Sequence, residues 1–165
     1  MSNVMNIFYL SKIPKICASM HCDKHVTKML IEYAQMMSTA HHVLDDEPDP
    51  NLYKVAHLNH PSTIWVRSSK QNYLWMYKTW EFLHEEYQRR YGKEHLSFTK
   101  LNHLLCKAPD RLGAIGFFPP PLCMPEHYKT NDPIQSYRRF YLGDKSKFAT
   151  WKSPAVQPNW YKRAL

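Results

Sequence analysis

The run Asp23-Lys24-His25-Val26-Thr27-Lys28-Met29-Leu30-Ile31-Glu32-Tyr33-Ala34-Gln35 carries two amines, a carboxylate pair, an imidazole and an amide at helical spacing. Lys24, Lys28, Glu32, Gln35, Thr39 and His42 recur every three or four residues, so a helix would align them along one face. One reading of that face is chemical. A carboxylate flanked by cations can stabilise a sugar cation or handle a proton. A lysine held below its ordinary pKa can attack a sugar carbon and form an imine. On these grounds Asp23, Lys24, Lys28 and Glu32 form the candidate catalytic set, with Asp23 also placed to cap the helix. The other reading is a solvated stripe with i,i+4 Lys–Glu pairs worth about 0.2–0.5 kcal/mol each. Spacing leaves both open.

A second group is Asn59-His60-Pro61-Ser62-Thr63-Ile64-Trp65-Val66-Arg67. Polar groups at a helix start can seat a phosphate, because free backbone N–H groups and the helix dipole attract anions. Asn59, His60, Ser62 and Arg67 are therefore candidate phosphate or nucleic-acid contacts, although the same residues suit ordinary capping. Arg89 and Arg90, at the end of a long periodic segment, and Arg138 and Arg139 are the other candidate backbone contacts. Trp65, Tyr137 and Tyr141 are candidate base-stacking rings, a role that competes with simple packing. His21 and His25 share a helix face, and His41, His42, His57 and His60 could add ligands. The adjacent Glu of a zinc helix is missing, however, and lysine stands inside the pair. No metal and no cofactor are expected.

These groups need helices to hold them. Met5 to Leu10 is a short apolar run, either a strand or a buried lead-in. Pro14 suits the first turn of a short helix reaching Met20. A second helix is predicted from about Asp23 to Val43. Residues 45–61 form a loop marked by Pro48, Pro50 and acids, and Pro61 opens the next helix. Helical spacing continues to Tyr91, with a break near Ser68-Ser69 and a stop at Gly92. Ser97 to Cys106 forms a shorter helix. Residues 108–131, with Pro119-Pro120-Pro121, carry no period. Asp132 then caps a helix opened by Pro133 and stopped at Gly143. With no convincing second strand, the expectation is an all-α, compact single-domain helical fold with long irregular loops, residues 145–165 forming a basic, aromatic-containing tail.

The 165 residues suffice for one domain with a core. Hydrophobic content of 44% argues against wholesale disorder, and the five Trp and eleven Tyr serve packing or stacking. Lys plus Arg total 22 against 14 acids, a formal charge of +8 that favours polyanionic partners. From Pro133 onward, Arg138, Arg139, Lys145, Lys147, Lys152, Lys162 and Arg163 face a single acid, Asp144. Four cysteines without C-x-x-C spacing suggest reduced thiols. With no signal peptide and no long apolar run, a cytoplasmic location without membrane contact is expected, in the host cell if the source is a phage.

Taken together, "CASMHCDKHVTKMLIEYAQMMSTAHH", "NHPSTIWVRSSKQNYLW", "EEYQRRYGKEH" and "MPEHYKTNDPIQSYRRFYLGDK" resemble a family of small phage-type proteins. That family is grouped with the pyrimidine-dimer DNA glycosylases of the endonuclease V kind, and the similarity covers most of residues 5–145. The resemblance implies an all-α DNA glycosylase that excises a damaged pyrimidine, using an N-terminal amine as nucleophile and a glutamate on an early helix. The imine so formed permits strand cleavage by β-elimination. Glu32 is the match for that glutamate. This chain departs at the amine: family members begin near Met5, whereas Met-Ser-Asn-Val precedes that point here. The resemblance then leaves the amine to Ser2 after loss of Met1, or to Lys24 or Lys28.

The leading expectation is therefore a DNA-acting base glycosylase or related base-processing enzyme of phage type. One alternative is a non-catalytic phage protein that sequesters a nucleotide or nucleotide-derived defence signal. A second is DNA binding without catalysis.

Overall fold

Residues 5–162 are described by the structure, a computed structural model. Ser2 and Arg163 lie outside the described residues. Six α-helices carry the architecture: α1 (Pro14–Met20), α2 (Asp23–Leu44), α3 (Pro61–Val66), α4 (Lys70–Tyr91), α5 (Leu96–Leu105) and α6 (Pro133–Leu142). Two short 3₁₀ turns, Glu126–Tyr128 and Asp144–Lys147, flank α6. The fold is all-α, and no strand occurs among the described residues.

Local sequence explains most boundaries. Pro14, Pro61 and Pro133 each open a helix, where a missing N–H does no harm. Asp132 accepts from the N–H groups of Ile134 and Gln135, and Ser69 accepts from Asn72. Two histidines cap by the same logic: His60 Nδ1 accepts from Ser62 N–H, and His95 Nδ1 from Ser97 N–H. Gly92 ends α4 at φ +68°, the left-handed conformation that a side chain would strain. The expected break at Ser68-Ser69 separates α3 from α4.

Asp23 is not the cap of α2. Cys22 holds that position without a side-chain bond, and Asp23 opens the helix. Its carboxylate is taken by Arg90, by the Thr150 hydroxyl at 2.9 Å and by the Lys152 N–H at 2.9 Å. Those partners lie 67 to 129 positions along the chain, so local pattern could not foretell them.

The 22-residue helices α2 and α4 pack together, with α1 and α5 closing against them. Leu30, Tyr33, Met36 and Met37 of α2 and Tyr73, Met76, Trp80 and Leu83 of α4 are buried. Indole N–H groups tie helices to irregular chain: Trp80 donates to Leu30 O, Trp75 to Lys12 O and Trp65 to Phe118 O, each at 2.8 Å. The Met5–Leu10 run is a buried extended lead-in. Tyr33 takes the Phe8 N–H at 3.1 Å and donates to His21 Nε2 at 2.8 Å, while His21 Nδ1 donates to Cys17 O at 2.8 Å. This relay gives the buried Tyr33 hydroxyl and both ring nitrogens of His21 a partner. The C-terminal segment packs as well: Trp151 Nε1 donates to Met20 O at 3.0 Å, and Tyr161 is 1% exposed. Up to Lys162 the tail is part of the body, not a free basic arm.

Candidate functional site

α2 delivers Lys28, Met29 and Glu32 to one wall of a cavity of about 540 Å³. The opposite sides come from Asn6 and Phe8 of the lead-in, from Leu122 to Pro125 of the irregular connection, and from Phe140, Asp144 and Lys145 around the end of α6. Lys129 completes the lining. Of the polar stripe on α2, only Lys28 and Glu32 reach this cavity. Farther along the helix, Thr39 and His42 bond the Tyr53–Ala56 loop.

Glu32 is the carboxyl with unusual surroundings. Its side chain is 17% exposed, and Lys28 Nζ lies 3.5 Å away. Burial raises its pKa above the ordinary carboxylate value, with Lys28, His57 and Lys145 pulling the other way. A carboxyl so placed can hold a proton nearer neutrality than a solvated one. Lys145 has the complementary displacement. Burial lowers its amine, the ammoniums of Lys28 and Lys24 lower it further, and Asp144 opposes. A raised acid and a lowered amine thus share one cavity, the arrangement expected where protons are moved.

The remaining walls are apolar or held in place. Tyr128 donates its hydroxyl to Asp144 Oδ1 at 2.7 Å, and Lys129 Nζ meets Glu126 at 2.7 Å. Cys123 Sγ is 3.6 Å from Ser62 Oγ, and burial pushes its thiol up. Phe8 stacks on His25 at 3.9 Å between centroids. His25 is buried, bonds Tyr141 OH at 2.6 Å and is held well below its usual pKa by desolvation. His21 is likewise pushed down to about 4 by burial. Both are structural imidazoles. Among the described residues, no group of three or more His, Cys, Asp or Glu side chains is arranged to hold a metal.

Several sequence expectations need correction. Trp65, Tyr137 and Tyr141 are at most 3% exposed, so none offers a free ring to a base. They fill the core instead, Tyr137 donating to Pro121 O and Tyr141 accepting from Cys22 N–H. Arg90 is fully buried and bonds Glu86, Asp23 and the carbonyls of Ser19 and His21, which leaves nothing for a phosphate. Asp23 belongs to that cluster and lies outside the cavity lining. Ser62 is buried and donates to Met5 O at 3.2 Å, away from any anion at the start of α3.

Other candidates remain at or near the surface. Asn59 is exposed, His60 is spent on its cap, and Arg67 is bonded to Leu58 O at 2.7 Å. Arg89 pairs with Glu86 on α4. Arg138 bonds Leu10 O and lies over the Trp160 ring, while Arg139 bonds His127 O at 2.8 Å beside the segment that lines the cavity. Lys24 stands 4.3 Å from the Phe148 ring centroid, next to Lys145 but outside the lining.

Sequence reasoning passed over Lys145, Lys129, Cys123 and Asn6 as site residues. Lys145 stood in the sequence only as one charge of a basic tail. Its sole local hint is the Gly143-Asp144 helix stop that turns it back toward α2. No known protein family, no curated protein and no solved structure matches this chain.

Proposed function

We propose that the protein is a base glycosylase acting on DNA, which takes a damaged or modified pyrimidine nucleotide into the Glu32 cavity. The observation that carries the reading is a carboxyl of raised pKa in a cavity lined by three lysines. At about 540 Å³ the cavity falls in the size range of small-ligand sites. An extruded nucleotide needs this combination: apolar walls for the base, cations for its phosphates and a carboxyl at the sugar. Glu32 would release a proton toward the leaving base, or as carboxylate stabilise positive charge developing on the sugar. The partly buried Leu122 and Met124 supply apolar surface, backed by the core rings of Phe8 and Phe140 in the lining. Arg139, bonded to His127 O next to the lining segment, and the exposed Arg89 would be the backbone contacts.

The test is release of free base from ultraviolet-damaged, abasic and hypermodified DNA. Glu32→Gln is expected to lower base release by about 100-fold or more while DNA binding persists. If every substrate stays intact with the wild-type protein, the glycosylase reading fails. A second reading is favoured by the excess of lysines over carboxylates in the lining: retention of a free nucleotide without turnover. Mass spectrometry of small molecules released on denaturation separates the two, because a sequestering protein carries a nucleotide through purification and releases no base.

A further inference from the structure

The cavity holds three lysines, and their partners differ. Lys28 is about half exposed and ion-paired with Glu32 at 3.5 Å. Lys129 is paired with Glu126 at 2.7 Å. Among the described residues, no carboxylate stands within ion-pairing distance of Lys145 Nζ. The nearest in sequence, Asp144, is turned to the Tyr128 hydroxyl at 2.7 Å. Lys145 Nζ faces three phenyl rings instead, at 4.6 Å from the centroid of Phe140, 5.7 Å from Phe8 and 5.9 Å from Phe148.

We propose that Lys145 is the nucleophilic amine of this site: its Nζ attacks C1′ of the bound nucleotide and forms an imine with the sugar. The assignment rests on the glycosylase reading and names the residue that would make the enzyme cleave the strand as well as the base. A nucleophilic lysine needs a lone pair, and two features favour one: partial burial against apolar walls, and neighbouring cations. Both stand at Lys145, in the three rings and in the ammoniums of Lys24 and Lys28. The rings' negative faces favour the charged form. Burial and the neighbouring ammoniums act the other way and lower the pKa. The backbone that carries the amine is also fixed. Lys145 sits on the 3₁₀ turn after α6, where its carbonyl accepts from the N–H groups of Phe148 and Ala149. The Ser146 hydroxyl bonds Gly143 O at 2.7 Å across the same turn. Lys28, by contrast, is engaged by Glu32, and Lys24 lies outside the lining.

The step balances without a cofactor. The Nζ lone pair forms the N–C1′ bond as the C1′–N bond to the base breaks, and that electron pair leaves with the base. The base takes a proton from Glu32, and the new secondary ammonium returns one to the Glu32 carboxylate. Opening of the sugar ring, with C1′–O4′ cleavage and protonation of O4′, leaves the imine. Loss of the C2′ proton then expels the 3′-phosphate by β-elimination, and water releases the sugar remnant from Lys145.

The experiment is borohydride trapping of the full-length protein on duplex DNA carrying an abasic site or an ultraviolet-induced dimer, with peptide mapping of the adduct. The expected result is a covalent adduct on Lys145. Lys145→Arg and Lys145→Met should each lower its yield by more than about 100-fold with melting temperatures near wild type. Arg keeps the charge and removes the nucleophile, so its failure to trap separates chemistry from phosphate binding. An adduct mapped to another amine, or full trapping by Lys145→Arg, overturns the assignment and leaves the glycosylase reading standing. Base release without any adduct does the same. If neither adduct nor free base appears, both fall. Should Lys145→Met fail to fold, Lys145→Arg and the mapped wild-type adduct still decide.

Discussion

Replacing Arg90 by methionine is expected to destabilise the protein severely, and under the proposed function the salt slope of DNA binding should stay unchanged. The guanidinium is 0% exposed. Its Nε and Nη2 bond Glu86 Oε1 at 3.2 and 3.0 Å, and its Nη1 bonds Asp23 Oδ1 at 3.1 Å. Nη1 also bonds His21 O at 2.8 Å, and Nη2 bonds Ser19 O at 3.0 Å. One side chain thus joins the end of α4 to both α1 and the start of α2. Methionine fills much of the volume and satisfies none of the acceptors. Glu86, whose side chain is 7% exposed, would be left as a buried charge supported only by the exposed Arg89. Breaking such a buried pair by removing one partner typically costs about 3–5 kcal/mol. At about 2–4 °C per kcal/mol for a chain of this size, the melting temperature should fall by roughly 6–20 °C. Urea denaturation followed by circular dichroism gives the free energy directly, with an unchanged slope showing that the native state is still compact. Adding Glu86→Leu to Arg90→Met should recover part of the loss, because the stranded charge goes with it. Arg90→Lys should not rescue, since an ammonium cannot reproduce the fork. A loss below about 1 kcal/mol for Arg90→Met would refute the reasoning, as would a reduced salt slope for DNA binding in the folded variant.

Other outcomes follow from the same contacts. His21 is held neutral with its pKa pushed down to about 4, against 6.5 in the unfolded chain. The unfolded state therefore binds the proton first, and stability present above pH 6.5 should be lost as pH falls toward 4, by about 3 kcal/mol from this residue. His21→Phe should flatten that part of the stability–pH curve measured by urea unfolding. Glu32 behaves oppositely: with a raised folded-state pKa it keeps its proton longer in the folded chain, so wild type should lose stability relative to Glu32→Gln as pH rises from the ordinary carboxylate range. Cys106 is exposed while Cys17 and Cys22 are buried, so a thiol reagent should modify Cys106 first, Cys123 more slowly, and the other two only on unfolding. Gly92→Ala should lower stability by about 1 kcal/mol, because φ is +68° and the added methyl meets nothing that would compensate.

The helices were legible because their signals are local. Prolines at first turns, Asp132 and Gly92 at ends, and the Tyr73-Tyr77-Trp80-His84-Tyr87 period all act within a few residues of where they stand. Local reading could place Lys28 and Glu32 on one face of α2, but it could not say whether that face meets water or a wall. Whether a group near the surface in sequence terms is exposed depends on segments that return from far along the chain. Arg90, Tyr137 and Tyr141 carry charge or hydroxyls that read as contacts for DNA. Tertiary packing took them, since a buried Glu86 carboxylate and a buried His25 ring each needed a partner.

Composition and spacing by themselves determined an all-α fold, its helix boundaries to within a residue or two, and a helix bearing Lys28 beside Glu32. Only the tertiary structure decided that Asn6, Cys123, Lys129 and Lys145 face those two residues across one cavity. The reason is physical: helix signals depend on hydrogen bonds between residues four apart. A site depends on desolvation and charge proximity among residues more than a hundred positions apart, which the fold alone brings together.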